Sequence, residues 1–146
     1  MAAKLDAKQE LAQFTGSLIR RAQQRHVAVW QRIVSTEVTS VQYAALVILS
    51  HKPGVSQREV CDELDLDRST IADLVTRMAR NGLIERSQSA YDKRRKTLRL
   101  TPEGQAQLVL LRPRVEGVEQ ALTTSLNAKE CIELRRLLSG LLAGGM

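Results

Sequence analysis

Residues 67–104 read DRSTIADLVTRMARNGLIERSQSAYDKRRKTLRLTPEG, and the first part of this stretch predicts a helix. Asp67 is a residue type that caps helix N-termini, because its carboxylate can accept a hydrogen bond from a free backbone N–H. Asn81 and Gly82 form a stop signal, since glycine readily adopts the left-handed conformation that ends helices. The helix between these signals has one apolar stripe, formed by Ile71, Leu74, Val75 and Met78.

The sequence period changes after this helix. Residues 83–86 and 97–100 are short segments of the kind that form strands, and the polar residues 87–96 between them predict a hairpin loop. A new helix begins at Thr101-Pro102, because threonine caps helices and proline is tolerated at the first helical position. The whole stretch therefore predicts a helix, a strand, a loop, a second strand and a second helix.

Further helices lie on both sides of this stretch. One long helix is predicted over about 7–35, and a second over about 40–50 after the capping box Thr39–Gln42. A third, short helix opens at Ser56, in a second capping box. Leucine-rich helices fill the C-terminal part of the chain, and Asn127 caps the last of them. The chain is thus mainly helical, with one small β element.

Positive charge is concentrated in the predicted hairpin. The 146-residue chain has a formal charge of +6, and residues 86–99 alone hold six basic side chains against one acidic side chain, Asp92. Such a local excess suits a polyanionic partner. A solvated charged loop is the alternative interpretation, and charge alone does not separate the two. We expect Asp92 to pair with a neighbouring arginine and thereby fix the loop.

The predicted fold is mostly α with a small β wing, which is a winged helix-turn-helix. An α-helix fits the major groove of B-DNA, and a preceding helix holds it at a fixed angle. Arg77 can make a bidentate contact with a guanine edge, and an arginine at the hairpin tip can enter a narrow minor groove. The polar residues of the 68–81 helix that suit this task are Arg68, Ser69, Thr70, Asp73, Thr76 and Arg77.

Residues 67–104, together with VTSVQYAALVILSHKPGVSQREVCDELDLD at 38–67, resemble the signature stretch of the MarR family of bacterial transcriptional regulators. The matching elements are D-R-S-T, N-G-L-I-E-R, the wing motif D-x-R and L-T-P-E-G. The resemblance implies a homodimer whose N- and C-terminal helices interdigitate. It divides the chain into an N-terminal dimerisation helix at 1–36, a winged helix-turn-helix DNA-binding domain at 37–101, and C-terminal dimerisation helices at 102–146.

The resemblance also implies a repressor that binds pseudo-palindromic double-stranded DNA and is released by a small, often aromatic and anionic, compound. The implied DNA contacts are Gln57, Arg68, Ser69, Thr70, Asp73, Thr76, Arg77, Arg94 and Arg95. The implied effector pocket is lined by Arg20, His26, Trp30, Tyr43 and His51. The two histidines are also consistent with surface or core positions, and Trp30 with an anchor of the core or the dimer.

Other function classes lack their signatures. The sequence has no Gly-rich phosphate loop, nucleophile elbow or metal-binding motif, so we expect no enzyme activity, cofactor or metal. Cys61 and Cys131 are expected to be reduced thiols, with Cys61 buried as a small apolar residue. No apolar stretch approaches the length of a membrane span and no signal peptide is evident, which predicts a cytoplasmic protein without membrane contact. The alternative function is a winged-helix protein-interaction module without sequence-specific DNA binding.

Overall fold

The computed structural model describes residues 3–92 and 94–145, which form a mainly helical molecule with one three-stranded sheet. This confirms the predicted fold class. In chain order the elements are α1 (Ala7–Leu11), α2 (Thr15–Ile33), α3 (Ser40–His51), β1 (Val55–Ser56), α4 (Gln57–Glu63), α5 (Arg68–Arg80), β2 (Ile84–Gln88), β3 (Lys96–Leu100), α6 (Pro102–Leu122) and α7 (Ala128–Ala143). None of the described helices is long and apolar enough to cross a membrane.

Local capping signals place most helix starts where the sequence predicts them. Asp67 caps α5 by accepting a hydrogen bond from the backbone N–H of Thr70 at 2.7 Å. The Thr39 and Asn127 side chains cap α3 and α7 in the same way, each within a reciprocal capping box. Gly82, with φ of +75°, follows the end of α5 as expected for a helix-stop glycine.

The single helix predicted over 7–35 is wrong, because the structure has two helices, α1 and α2, separated at residues 12–14. The backbone N–H groups of Gln13 and Phe14 bond to carbonyls only three residues back, which tightens and ends α1. Phe14 is then extended, with φ of −111° and ψ of 126°. Gly16, which the sequence marks as the weak point, lies inside α2. None of the five residues of α1 is buried, so no packing holds a continuous helix together there.

The sheet has the order β1-β3-β2 with both pairs antiparallel. The β2–β3 hairpin is the predicted wing, with Arg86 opposite Leu98. Strand β2 continues to Gln88, so the loop is shorter than predicted. The sequence does not reveal β1, which has only two residues and pairs with β3 through Val55 and Leu98. Strand β1 ties the wing to the start of α4.

The core lies between α5, the sheet, α3 and α6, and the apolar stripe of α5 is part of it. Ile71, Val75 and Met78 are 3%, 2% and 0% exposed, while Leu74 lies at the margin of the core. Helix α2 packs on α6, and its Trp30 is buried. The Trp30 indole N–H donates to the backbone carbonyl of Val38 at 2.8 Å, which fastens the connection between α2 and α3.

The terminal helices leave many large apolar side chains exposed. On α7, five leucines at helical spacing are at least 39% exposed, and α1 and α2 also present apolar residues to the outside. The leucines are Leu134, Leu137, Leu138, Leu141 and Leu142. Contiguous apolar surface of this kind on a single chain is typical of an interaction site.

Helix α6 begins in close contact with the start of the wing. Thr101 donates its backbone N–H to the carbonyl of Leu83 at 3.1 Å and its hydroxyl to the carbonyl of Gly82. Gly104 is buried one turn later, and a Cβ on it would lie 2.0 Å from the same Leu83 oxygen. Only glycine therefore allows the first turn of α6 to approach the wing this closely.

We predict that Gly104→Ala lowers the free energy of unfolding by about 1–3 kcal/mol, because the added methyl group forces backbone to move in a packed region. Gly140→Ala is the matched control, since a Cβ there has nothing within 4 Å. It should raise stability by up to about 1 kcal/mol, because alanine favours helix more than glycine. Urea unfolding at one protein concentration checks both variants. Equal stability of Gly104→Ala and the wild type would show that α6 is not held as described.

Candidate nucleic-acid interface

The outer face of α5 is open to solvent and, apart from Ala72, polar. Because Ile71, Val75 and Met78 point into the core, the opposite face of the helix must point outward. All of the α5 residues predicted to contact DNA are exposed there, namely Arg68, Ser69, Thr70, Asp73, Thr76 and Arg77. The structure thus presents these six residues on one accessible helix.

The N-terminus of α5 is held by Asp67. Its Oδ1 accepts the Thr70 backbone N–H at 2.7 Å and the Ser69 hydroxyl at 2.9 Å. The hydrogen bond from the Thr70 backbone N–H is the main reason why the pKa of Asp67 lies below its usual value. The first turn therefore carries an ionised carboxylate of its own, and the Ser69 hydroxyl donates within the protein. At this end of the helix, Arg68 is therefore the group best suited to bind an anion.

A cleft of about 800 Å³ separates α5 from the wing. It brings together four residues that the sequence predicts at the DNA interface, Gln57, Arg68, Arg94 and Arg95. The other lining residues are Ser56, Arg58, Glu59, Cys61, Asp62, Ile71, Asp92 and Lys96. The cleft therefore has more basic than acidic side chains and opens beside the polar face of α5.

The tip of the wing is closed by backbone hydrogen bonds. The Arg95 N–H donates to the Asp92 carbonyl at 3.0 Å, and the Arg95 carbonyl accepts from the Ser89 N–H at 2.9 Å. Asp92 bonds to a neighbouring arginine as expected, but through the backbone, since its Oδ1 accepts the N–H of Arg94 at 2.9 Å. This contact is an Asx turn that fixes the loop through the backbone of Arg94, and the Arg94 side chain is exposed. Lys93 lies outside the described residues.

Arg95 faces α4 across the cleft. Its Nη2 lies 2.9 Å from Oε1 of Glu59, and the same carboxylate oxygen accepts the Ser56 hydroxyl at 3.0 Å. The capping box expected at Ser56 is therefore incomplete: Ser56 accepts the Glu59 N–H, but the Glu59 side chain bonds to a hydroxyl and a guanidinium rather than back to a backbone N–H. Sequence reasoning missed Glu59 as a site residue, since its partner lies 36 positions away.

Three of the predicted effector residues form one aromatic cluster. The Trp30 ring centroid lies 6.1 Å from that of His26 and 5.6 Å from that of Tyr43, with tilted planes in both pairs. Arg20 is exposed and bonds to Gln24 at 3.2 Å. His51 is exposed at the far end of α3, about 12 Å along the helix from Tyr43 at the usual rise per residue. The structure therefore joins His26, Trp30 and Tyr43 and leaves Arg20 and His51 apart from them.

Comparison with known proteins agrees with these features. A sequence model described as "MarR family" matches residues 36–95. The transcriptional regulator HosA of Escherichia coli is 32% identical over 112 residues, which cover 77% of this chain and 82% of HosA. This chain belongs to the MarR family. It is therefore a DNA-binding transcriptional regulator with a winged helix-turn-helix.

Solved structures of MarR-family regulators superpose over nearly the whole chain. PcaV of Streptomyces coelicolor, in complex with its natural ligand, is 39% identical with a TM-score of 0.88 and covers 97% of this chain and 98% of its own. BpsR of Bordetella bronchiseptica is 29% identical with a TM-score of 0.79 and covers 86% of this chain and 96% of its own. The BpsR structure concerns regulation of DNA binding by 6-hydroxynicotinic acid.

Proposed function

We propose that this MarR-family regulator is a homodimeric repressor that reads double-stranded DNA with α5 and the wing and is released by a small aromatic anion. The observation that carries the DNA-binding part is the exposed polar face of α5 beside a cleft with Arg68 and Arg94 on its walls. A module for protein contacts alone does not need arginines on both sides of such a cleft. The same surface makes binding, rather than catalysis, the activity proposed here.

The polar face of α5 supports direct reading of base edges. Helix α5 has 13 residues, so it is about 20 Å long and fits the major groove. Arg77 lies on the exposed face in the last turn of the helix and has the planar donors that match a guanine edge. Asp67 already occupies the first-turn N–H of Thr70, so we assign phosphate contact at this end to Arg68 and Gln57.

The exposed apolar faces of the terminal helices support the homodimer. The leucine stripe of α7 and the apolar residues of α1 and α2 are far from the DNA-binding face in sequence, and an identical chain can cover them symmetrically. Two copies of α5 on one face of a duplex would then read half-sites about one helical turn apart, with two-fold symmetry. The proposed operator is accordingly a pseudo-palindrome, and the regulator acts in the cytoplasm.

The aromatic cluster supports an aromatic effector. His26 and Tyr43 are partly buried on either side of the buried Trp30, so a flat ligand can pack against existing rings. BpsR is regulated by an aromatic carboxylic acid, which is the ligand class proposed for this chain. Arg20 lies apart from the cluster on α2 and remains the sequence-based candidate for contact with the carboxylate. Such a ligand releases DNA only if it binds the DNA-free state more tightly than the bound state.

Replacing Arg77 tests base reading. We predict that Arg77→Ala weakens binding to a duplex enriched from a random pool by the wild-type protein, by about 1–3 kcal/mol, and relaxes the base preference at one position of each half-site. Arg112→Ala is the control, because it removes the same charge from an exposed position on α6. Gel-shift titration at constant salt compares them. An equal loss in both variants would argue against a specific contact by Arg77.

Charging the leucine stripe tests the homodimer. Sedimentation equilibrium should give the wild type the mass of two chains, and Leu141→Glu should shift it toward one, because a carboxylate would be buried without a partner. Ser139→Glu is the matched control, since it adds the same charge to an exposed α7 position off the stripe. A monomeric wild type, or a dimer that tolerates Leu141→Glu, would contradict the proposal.

His26 and His51 provide a test variant and a matched control for the proposed effector site. We predict that 6-hydroxynicotinic acid or a related aromatic carboxylate raises the thermal unfolding midpoint of the wild type in a concentration-dependent way. His26→Ala should lose most of this shift, because His26 belongs to the aromatic cluster. His51→Ala should keep it, since His51 lies apart. No shift with any aromatic carboxylate, or the same response from both variants, would exclude the aromatic cluster as the effector site.

A further inference from the structure

On the proposed DNA-binding face, the acidic side chain of Glu59 contacts the basic wing. Glu59 of α4 accepts hydrogen bonds from Ser56 at 3.0 Å and from the Arg95 guanidinium at 2.9 Å. Both members of the ion pair are half exposed, so solvent screens it and its direct contribution to stability is small. A carboxylate at this place also repels DNA phosphates. A reason for its presence must therefore lie in what it does to the wing.

The backbone of Arg95 is part of the loop at the wing tip, so a contact made by its side chain affects the position of that tip. Its N–H and carbonyl both take part in closing the loop, to Asp92 and to Ser89 respectively. Fixing the Arg95 side chain therefore fixes the position of the whole tip. Other links of the hairpin to the helix-turn-helix lie at the root of the wing, where β3 pairs with the two-residue strand β1 and the Leu98 carbonyl accepts the Gly54 N–H at 3.0 Å.

We propose that Glu59 is a positioning residue for DNA binding: through Arg95 it holds the wing at a set distance from α5. Arg95 accordingly works inside the protein, and the exposed Arg94 is the arginine that meets DNA. This inference rests on the proposed DNA-binding function. It replaces the DNA contact that the sequence predicts for Arg95 with an intramolecular role.

The change in DNA affinity on removal of the Glu59 charge distinguishes the positioning role from simple electrostatic repulsion. If Glu59 only repels phosphates, removing its charge raises the affinity for DNA. If Glu59 positions the wing, removing its charge lowers the affinity, because the tip must then be ordered at the moment of binding. Glu59→Gln retains the length of the side chain and an acceptor for Ser56, so it removes the ion pair with little other change.

Asp62 provides the matched control. It lies on the same helix, lines the same cleft and is exposed, and it forms no ion pair with any residue that the structure describes. Asp62→Asn removes one negative charge next to the same DNA path. It is expected to raise the affinity slightly, by up to about twofold, since only screened repulsion is lost.

The DNA experiment titrates the wild type, Glu59→Gln, Arg95→Gln and the double variant with a duplex enriched by the wild type, at several salt concentrations. We expect Glu59→Gln to weaken binding about two- to fivefold, within the range of exposed ion pairs. Arg95→Gln should match it, and the double variant should be no weaker than either, because both changes remove one contact. The slope of affinity against salt should stay that of the wild type, since no phosphate contact is lost.

Hydrogen exchange of the free protein separates failure of this inference from failure of the proposed function. Backbone amides at 89–95 should exchange faster in Glu59→Gln than in the wild type or Asp62→Asn, while the unfolding midpoints stay equal. This readout needs no DNA, so it remains informative if the wild type fails to bind a duplex. Tighter binding by Glu59→Gln, a flatter salt slope in Arg95→Gln, or unchanged exchange at 89–95 would each overturn the positioning role.

Discussion

The orientation of α5 depends on the burial of three side chains on one of its faces. Ile71, Val75 and Met78 are almost fully excluded from solvent, and truncating such residues typically costs about 2–5 kcal/mol for the larger ones. Rotation of the helix about its axis would expose this stripe and bury Arg77 and Asp73 without partners. The core therefore determines which side chains face outward. Because this helix is already rigid, little conformational entropy is lost when it binds DNA.

The wing is held less firmly, and by a different kind of contact. Its root is secured by β1, by the start of α6 at Thr101 and by the close approach of Gly104 to Leu83. Its tip depends on an Asx turn and on one exposed ion pair, which are weak compared with core packing. The helix and the wing of this DNA-binding surface therefore differ in how firmly the rest of the molecule holds them.

Local signals explain most of what the sequence predicts correctly. Asp67, Gly82 and Thr101 act on backbone groups within a few residues, so their effect on α5 and α6 is visible without the fold. The outward face of α5 follows from helical period alone. The two-residue β1 and the pairing of Glu59 with Arg95 depend on segments far apart in sequence, and no periodicity reports them.

The predicted effector residues show the same limit. His26 and Trp30 are four residues apart on one helix, so their meeting is foreseeable. Tyr43 joins them from α3, whose connection to α2 is fastened by the Trp30–Val38 bond. His51, which the resemblance implies as an effector residue, lies elsewhere on α3. The break between α1 and α2 was missed because the apolar spacing continues across it, whereas the backbone does not.

Methylation interference distinguishes whether the proposed recognition by α5 takes place in the major groove of the operator. Guanine N7 faces the major groove and adenine N3 faces the minor groove. If α5 lies in the major groove, N7 methylation should block binding at guanines in two half-sites centred about one helical turn apart. Binding that tolerates N7 methylation throughout the protected region would contradict it.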